Sequence, residues 1–183
     1  MNFDMNDPNI QNYLNKIISQ NRIGNVLHKI NDALIFNYIK EQQEYGVDDF
    51  DAATHRTDDL IGYADEELIS YFSQGACNVY AYILCKVFEG HATAYEDWNH
   101  VATKIGDNFY DYCGVNYNFA KNSLREYETE SLIAPRDKSK VYVGFYEEKT
   151  DGKYIEIGVN AGRKYIYECV YGPIEEEKEN TRK

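Results

Sequence analysis

Hydrophobic residues recur at helical spacing through the first part of the chain. Asp7 and Pro8 have the character of a helix cap and a first-turn proline, and the apolar positions after them predict a helix over about residues 8–20. A second apolar series predicts a helix over about residues 25–45. Residues 47–59 contain five aspartates and no periodicity, so we expect a surface loop there.

Two shorter helices are predicted next. Asp65 and the glutamates after it precede an apolar run, which predicts a short capped helix that ends before Gly75. From Cys77 to Phe88 a broad apolar face repeats about every 3.6 residues, and Gly90 provides a stop. This pattern predicts a buried helix with Cys77 in its first turn.

Alternating patterns typical of strands follow. Residues 100–106 alternate in character, Gly106 begins strong turn chemistry, and the aromatic run after it resembles a strand. The resulting hairpin would join His100 to Asp111. The polar stretch up to residue 140 contains a possible helix near residues 123–130.

The last part of the chain is rich in tyrosine and isoleucine, with glycines between the apolar runs. This pattern predicts three strands, at about residues 141–147, 154–160 and 164–171, that form a meander.

Together these elements predict an α+β fold with N-terminal helices, a core helix bearing Cys77, and an antiparallel sheet with a C-terminal meander. The length of 183 residues fits one domain, which we expect over residues 1–173. Within it a helical part, 8–73, precedes a core, 74–173. Residues 174–183 form a charged tail.

Charge and composition limit the classes of partner. The net charge of -12 argues against direct binding of nucleic-acid phosphates and favours a protein substrate or partner with a basic surface. The chain begins without the features of a signal peptide and contains no apolar run long enough for a membrane span, so we expect a cytoplasmic protein that does not enter membranes. The four cysteines lack paired spacing and are expected to be free thiols.

One group of residues has the pattern of thiol catalysis. A cysteine attacks a carbonyl as the thiolate, which a helix N-terminus and a neighbouring imidazolium stabilise. Cys77 is placed where a helix N-terminus and an imidazolium could both stabilise its thiolate. His100 would be the base, and Asp111 the acid that orients the imidazole. The loop over residues 73–76 can offer backbone N–H groups, and Gln74 its side-chain amide, to a developing oxyanion.

The sequence from Gly75, GACNVYA, resembles the segment that opens the core helix of papain-like and transglutaminase-like thiol enzymes. The sequence from His100, HVATKIGDNFYDYCG, resembles their histidine strand, turn and aspartate strand. This resemblance covers residues 74–114 and implies a Cys77 nucleophile, a His100 base and an Asp111 orienting acid. It also implies activities such as peptide hydrolysis, deamidation and acyl transfer to amines, without a cofactor.

Each of these residues also has an ordinary structural interpretation. Cys77 can be a small buried hydrophobic residue, His100 a hydrogen-bonded histidine, and Asp111 a turn acid. Cys85 and Cys113 are interpreted as core residues.

Aromatic and metal-binding alternatives also arise near His100. Tyr95, Trp98 and Asn99 precede it and can line a substrate cleft, although aromatic residues in a loop also pack over core edges. A zinc site made from cysteines and histidines lacks the usual ligand spacing, so no metal is predicted.

A rival function uses the charge instead of the thiol. An acidic, tyrosine-rich phage or mobile-element inhibitor would block a basic groove of a partner protein where nucleic acid normally binds. This interpretation is independent of Cys77, whereas the thiol-enzyme interpretation requires Cys77 and His100 to meet.

Overall fold

A computed structural model describes residues 3–45, 57–119, 124–134 and 147–174. They form five α-helices, a 3-10 helix and a five-stranded antiparallel sheet, which confirms the α+β class. The helices are α1 (Pro8–Ser19), α2 (Gly24–Tyr45), α3 (Thr57–Gln74), α4 (Cys77–Val87) and α5 (Glu148–Tyr171). The strands are β1 (Ala92–Glu96), β2 (Val101–Ile105), β3 (Asn108–Asp111), β4 (Gly114–Val115) and β5 (Arg125–Tyr127), and the 3-10 helix spans Thr129–Ile133.

The N-terminal helices follow the predicted pattern. The Asp7 carboxylate accepts hydrogen bonds from the backbone N–H groups of Asn9 and Ile10, at 2.8 and 3.2 Å, and so caps α1. The helix α3 begins eight residues before Asp65, so the predicted short helix is wrong in length. Asp65 lies inside the helix, where its carboxylate accepts a hydrogen bond from the Tyr112 hydroxyl.

The sheet has the strand order β4-β3-β2-β1-β5. The predicted hairpin from His100 to Asp111 is confirmed as β2 and β3, with Thr103 opposite Tyr110. The strand β1 was not predicted, although Thr93 to Glu96 alternate in burial. One face of the sheet packs against α4, where its apolar side chains join those of the helix.

The predicted C-terminal meander is wrong. Residues 154–160 and 164–171 lie in the single helix α5, while residues 141–146 are outside the described part. The predicted helix near 123–130 is also wrong, because Arg125–Tyr127 forms an edge strand; residue 123 itself is not described. The loop predicted at 47–59 is wrong at its end, because residues 57–59 lie in α3, and the rest of it falls outside the described residues. Of the predicted tail at 174–183, all but residue 174 also falls outside them.

Two glycines explain the misinterpretation of α5. The buried positions of this helix are Asp151, Tyr154, Gly158, Gly162 and Ile166, which have helical spacing. Glycine carries no side chain, so the buried stripe is not visible as a hydrophobic pattern. The missing side chains let α5 approach α4 closely, since a Cβ on Gly162 would lie 2.8 Å from a Val87 methyl group.

We expect Gly162→Ala to lower the free energy of unfolding by about 1 kcal/mol. Overpacking destabilises a fold by about 1–3 kcal/mol, whereas the better helix propensity of alanine stabilises it by only about 1 kcal/mol. The β-branched Val87 has little rotamer freedom to move away. Gly62 in α3 is the matched control, because a Cβ there meets nothing within 4 Å. Gly62→Ala should raise the free energy of unfolding, measured in urea, by up to about 1 kcal/mol. If both variants changed the free energy of unfolding in the same direction, the packing argument would be contradicted.

Candidate active site

Cys77 is the first residue of α4, as the sequence predicts. The N-cap residue Ala76 makes no side-chain capping bond, and its carbonyl accepts from the N–H groups of Val79 and Tyr80. The positive end of the α4 dipole therefore lies at the thiol. Cys77 is only 6% exposed. Its apolar cluster contains Ala81, Tyr82, Cys85, Ala94, Val101 and Leu132.

The corner before Cys77 is tighter than predicted. Residues 73 and 74 do not form a loop but complete the last turn of α3, so only Gly75 and Ala76 connect the two helices. The Ala76 N–H donates to the Tyr71 carbonyl at 3.2 Å, which fixes the corner. Gln74 is exposed at the end of α3, three residues before the thiol.

His100 and Asp111 meet at the end of the β2–β3 hairpin. The His100 Nε2 atom lies 3.1 Å from Asp111 Oδ2, and the two side chains are 19% and 16% exposed. Asp111 also accepts hydrogen bonds from the Asn116 side-chain amide at 3.0 Å and from the Cys113 backbone N–H at 2.9 Å. The carboxylate is thereby held in one orientation toward the imidazole. The ring of Phe119 packs edge-on against His100 at 6.1 Å.

The charged form of His100 is strongly favoured. Burial, the largest single influence, lowers the pKa of His100, but hydrogen bonds to Asp111 and Cys77 and the charges of both groups raise it to about 10. His100 thus contacts Asp111 directly, at 3.1 Å, and Cys77 is near enough to influence the pKa of its ring. Burial raises the pKa of Asp111, but its hydrogen bonds from His100 and Asn116 outweigh this and lower the pKa.

The predicted substrate-binding residues lie on the β1–β2 hairpin. Trp98, 83% exposed, and Asn99 form its tip, where the Asp97 carboxylate accepts from the Asn99 and His100 N–H groups. Tyr95 lies within β1, not in a loop, and its hydroxyl donates to Glu126 at 3.2 Å.

The other cysteines lie in different environments. Cys85 is buried, as predicted, and burial raises its pKa to about 11. Cys113 is exposed, so its interpretation as a core residue is wrong; it lies in the tight turn between β3 and β4. In the described ranges we find no group of three or more His, Cys, Asp or Glu residues placed to hold a metal ion. No helix within them is long and apolar enough to cross a membrane.

Two neighbours of the site were not predicted. Asn116 follows Asp111 by five residues, after a tight turn at Gly114, and this turn is the local signal that could have indicated it. Leu132 comes from a distant part of the chain, and no local pattern links it to Cys77.

Comparison with protein-family models, curated proteins and solved structures finds nothing that matches this chain. The resemblance of residues 74–114 to papain-like and transglutaminase-like enzymes therefore stays a prediction.

We expect Asp111→Asn and Cys77→Ser each to lower the pKa of His100 below about 10 in an NMR titration, since each removes a cause that raises it. His91 hydrogen-bonds Gln11 instead, so His91→Asn should leave the His100 titration unchanged.

The same pKa predicts a pH dependence of stability. Protonated His100 stabilises the fold, and this contribution is complete below pH 6.5, the ordinary pKa of histidine. It is lost as the pH rises toward the raised pKa of about 10. Urea unfolding between pH 6 and 10 should therefore show a smaller loss of stability in His100→Gln than in the unmodified chain. An equal loss in both proteins would contradict the assigned interaction.

Proposed function

We propose that this protein is a thiol-dependent hydrolase or acyl transferase that acts on amide-type carbonyls. Cys77 is the nucleophile, His100 the general base and acid, and Asp111 the group that orients the imidazole. The observation that carries the proposal is the 3.1 Å contact between His100 Nε2 and Asp111 Oδ2, on a ring whose pKa the neighbouring Cys77 thiol also raises.

The chemistry follows from which ring nitrogen is engaged. Nε2 bonds Asp111, so Nδ1 is the nitrogen left for the Cys77 sulfur. The thiolate forms a bond to the substrate carbonyl carbon, and the His100 imidazolium gives its proton to the amine as the C–N bond breaks. Water or a second amine, deprotonated by the neutral imidazole, then attacks the thioester and releases the Cys77 thiolate, while the imidazolium is restored.

An oxyanion site is available at the start of α4. The backbone N–H of Cys77 belongs to the first turn, whose donors have no partner within the helix. The exposed Gln74 amide is the second candidate donor, because it ends α3 just before the corner. A negative oxygen there would also interact favourably with the helix dipole.

The substrate we propose is a polypeptide with a basic surface. The net charge of -12 attracts such a partner and repels nucleic acid. The exposed Trp98 at the hairpin tip, with Asn99 and Tyr95 on the same hairpin, is placed two residues before His100 and offers a contact surface for the chain that carries the scissile amide. A cytoplasmic location and the absence of a cofactor requirement belong to the same proposal.

The net charge also favours a second candidate function. A non-catalytic acidic protein of phage or mobile-element origin would bind a basic groove of its target, and it would have no need of a reactive thiol. The thiol chemistry of Cys77 therefore separates the two candidates.

Alkylation by iodoacetamide at pH 7.5 tests the nucleophile directly. We expect Cys77 to react at least about tenfold faster than Cys85, because the thiolate is the reacting form and His100 supplies a positive charge only to Cys77. Cys85 is the matched control: it lies in the same helix, is equally buried, and has a pKa of about 11. Mass mapping of the labelled peptides gives both rates. Equal rates in the unmodified chain and also in Leu132→Ala would leave the binding-protein interpretation.

Activity against a panel of glutamine-containing peptides, with and without a primary amine, tests the reaction. We expect Cys77→Ala to abolish turnover and His100→Ala to reduce it by roughly 10²–10⁴-fold, the usual contribution of a general base. Cys169→Ser, an exposed cysteine on α5, is the control and should keep full activity. Undiminished activity in Cys77→Ala would exclude thiol catalysis.

A further inference from the structure

The 3-10 helix Thr129–Ile133, which we call the covering segment, lies along α4. Its first residue, Thr129, hydrogen-bonds the Cys85 sulfur. The next, Glu130, accepts a hydrogen bond from the Tyr82 hydroxyl at 3.2 Å. These contacts place the beginning of the segment over the second half of α4.

The other end of the covering segment reaches the first turn of α4, where Cys77 lies. The Leu132 carbonyl accepts from the Asn78 side-chain amide at 2.7 Å. The Leu132 side chain is 1% exposed and belongs to the same apolar cluster as Cys77. The segment therefore runs antiparallel to α4, with the Leu132 carbonyl bonded to the first turn and the Leu132 side chain in the apolar cluster that contains Cys77.

The covering segment is held on α4 by apolar packing and by polar contacts of unequal strength. The Lys86–Glu130 ion pair, at 3.4 Å, is weak because the Glu130 side chain is 71% exposed. Asn78 Oδ1 is buried and lacks a hydrogen-bond partner in the part of the chain that the structure describes. A buried polar atom without a partner destabilises the arrangement in which the segment covers α4. The preceding strand β5 has three residues and lies at the sheet edge. A local opening here would break little regular structure.

We infer that the covering segment is an autoinhibitory gate, in which Leu132 closes access to the Cys77 thiol and must be displaced before a substrate carbonyl can reach it. This inference rests on the proposed function. It accounts for a thiol that lies near the His100 imidazole at the start of α4 and yet is only 6% exposed. Displacement would also free the Asn78 amide oxygen to meet water.

The test is the rate at which iodoacetamide labels Cys77 in Leu132→Ala. We expect a rate roughly tenfold or more above that of the unmodified chain, because opening no longer transfers a buried leucine side chain to water. Leu84→Ala is the matched control, since Leu84 is a buried leucine of α4 in the other apolar cluster. It should destabilise the fold similarly without the increase at Cys77.

A second measurement needs no variant. Labelling of Cys77 in the unmodified protein at low urea should depend only weakly on urea if the segment opens alone, since little surface is exposed. A urea dependence equal to that of global unfolding would overturn the gate even if Leu132→Ala did not fold.

The outcomes separate the gate from the catalytic proposal. Fast labelling of Cys77 at the same rate in the unmodified chain and in Leu132→Ala overturns the gate and leaves the proposed function standing. Equal acceleration by Leu132→Ala and Leu84→Ala also overturns the gate. Labelling of Cys77 that stays as slow as that of Cys85 in folded Leu132→Ala overturns the gate and the proposed function together.

Discussion

The burial of α4 is the constraint on which the other features depend. Every residue of this helix except Lys86 is buried, between α5 on one side and the sheet on the other. A close-packed helix of this kind resists rotation or sliding, because either would create cavities or overlaps. The glycines of α5 strengthen the constraint, because Gly158 allows close contact with the Ile83 side chain and Gly162 with the Val87 methyl groups. The thiol at the first residue of α4 thus has a fixed place relative to the strands.

The hairpin that carries His100 and Asp111 supplies the second fixed part. Burial acts against the charge on each side chain, yet their mutual hydrogen bond and the contacts from Asn116 and the Cys113 N–H outweigh it. Removing one partner would leave the other charge buried and uncompensated. The pair therefore stabilises the fold only while both partners are present, and it is well suited to holding an imidazole ring in one orientation beside a sulfur.

Local signals predicted those parts of the fold that are determined locally. The capped helix α1, the buried helix α4 and the β2–β3 hairpin each carry their own period or turn chemistry, and with them the sequence placed Cys77, His100 and Asp111 on the correct elements. The helix α5 could not be identified in this way, since its contact stripe uses Gly158 and Gly162 and its remaining residues are rich in strand-forming types. Its packing partner, and not its own pattern, determines its conformation.

The difference between local patterns and tertiary contacts also explains why only part of the environment of the Cys77 thiol could be predicted from the sequence. The resemblance spans residues 74–114, whereas Leu132 and the rest of the covering segment come from beyond it and meet α4 only in the folded chain. With the covering segment in place, His100 Nε2 and Asp111 Oδ2 already lie 3.1 Å apart, so the proposed opening would not have to rearrange this pair. The proposed opening would break the contacts of Glu130 and the Leu132 carbonyl with α4, and the energetic barrier to substrate entry would be set mainly by the burial of the Leu132 side chain.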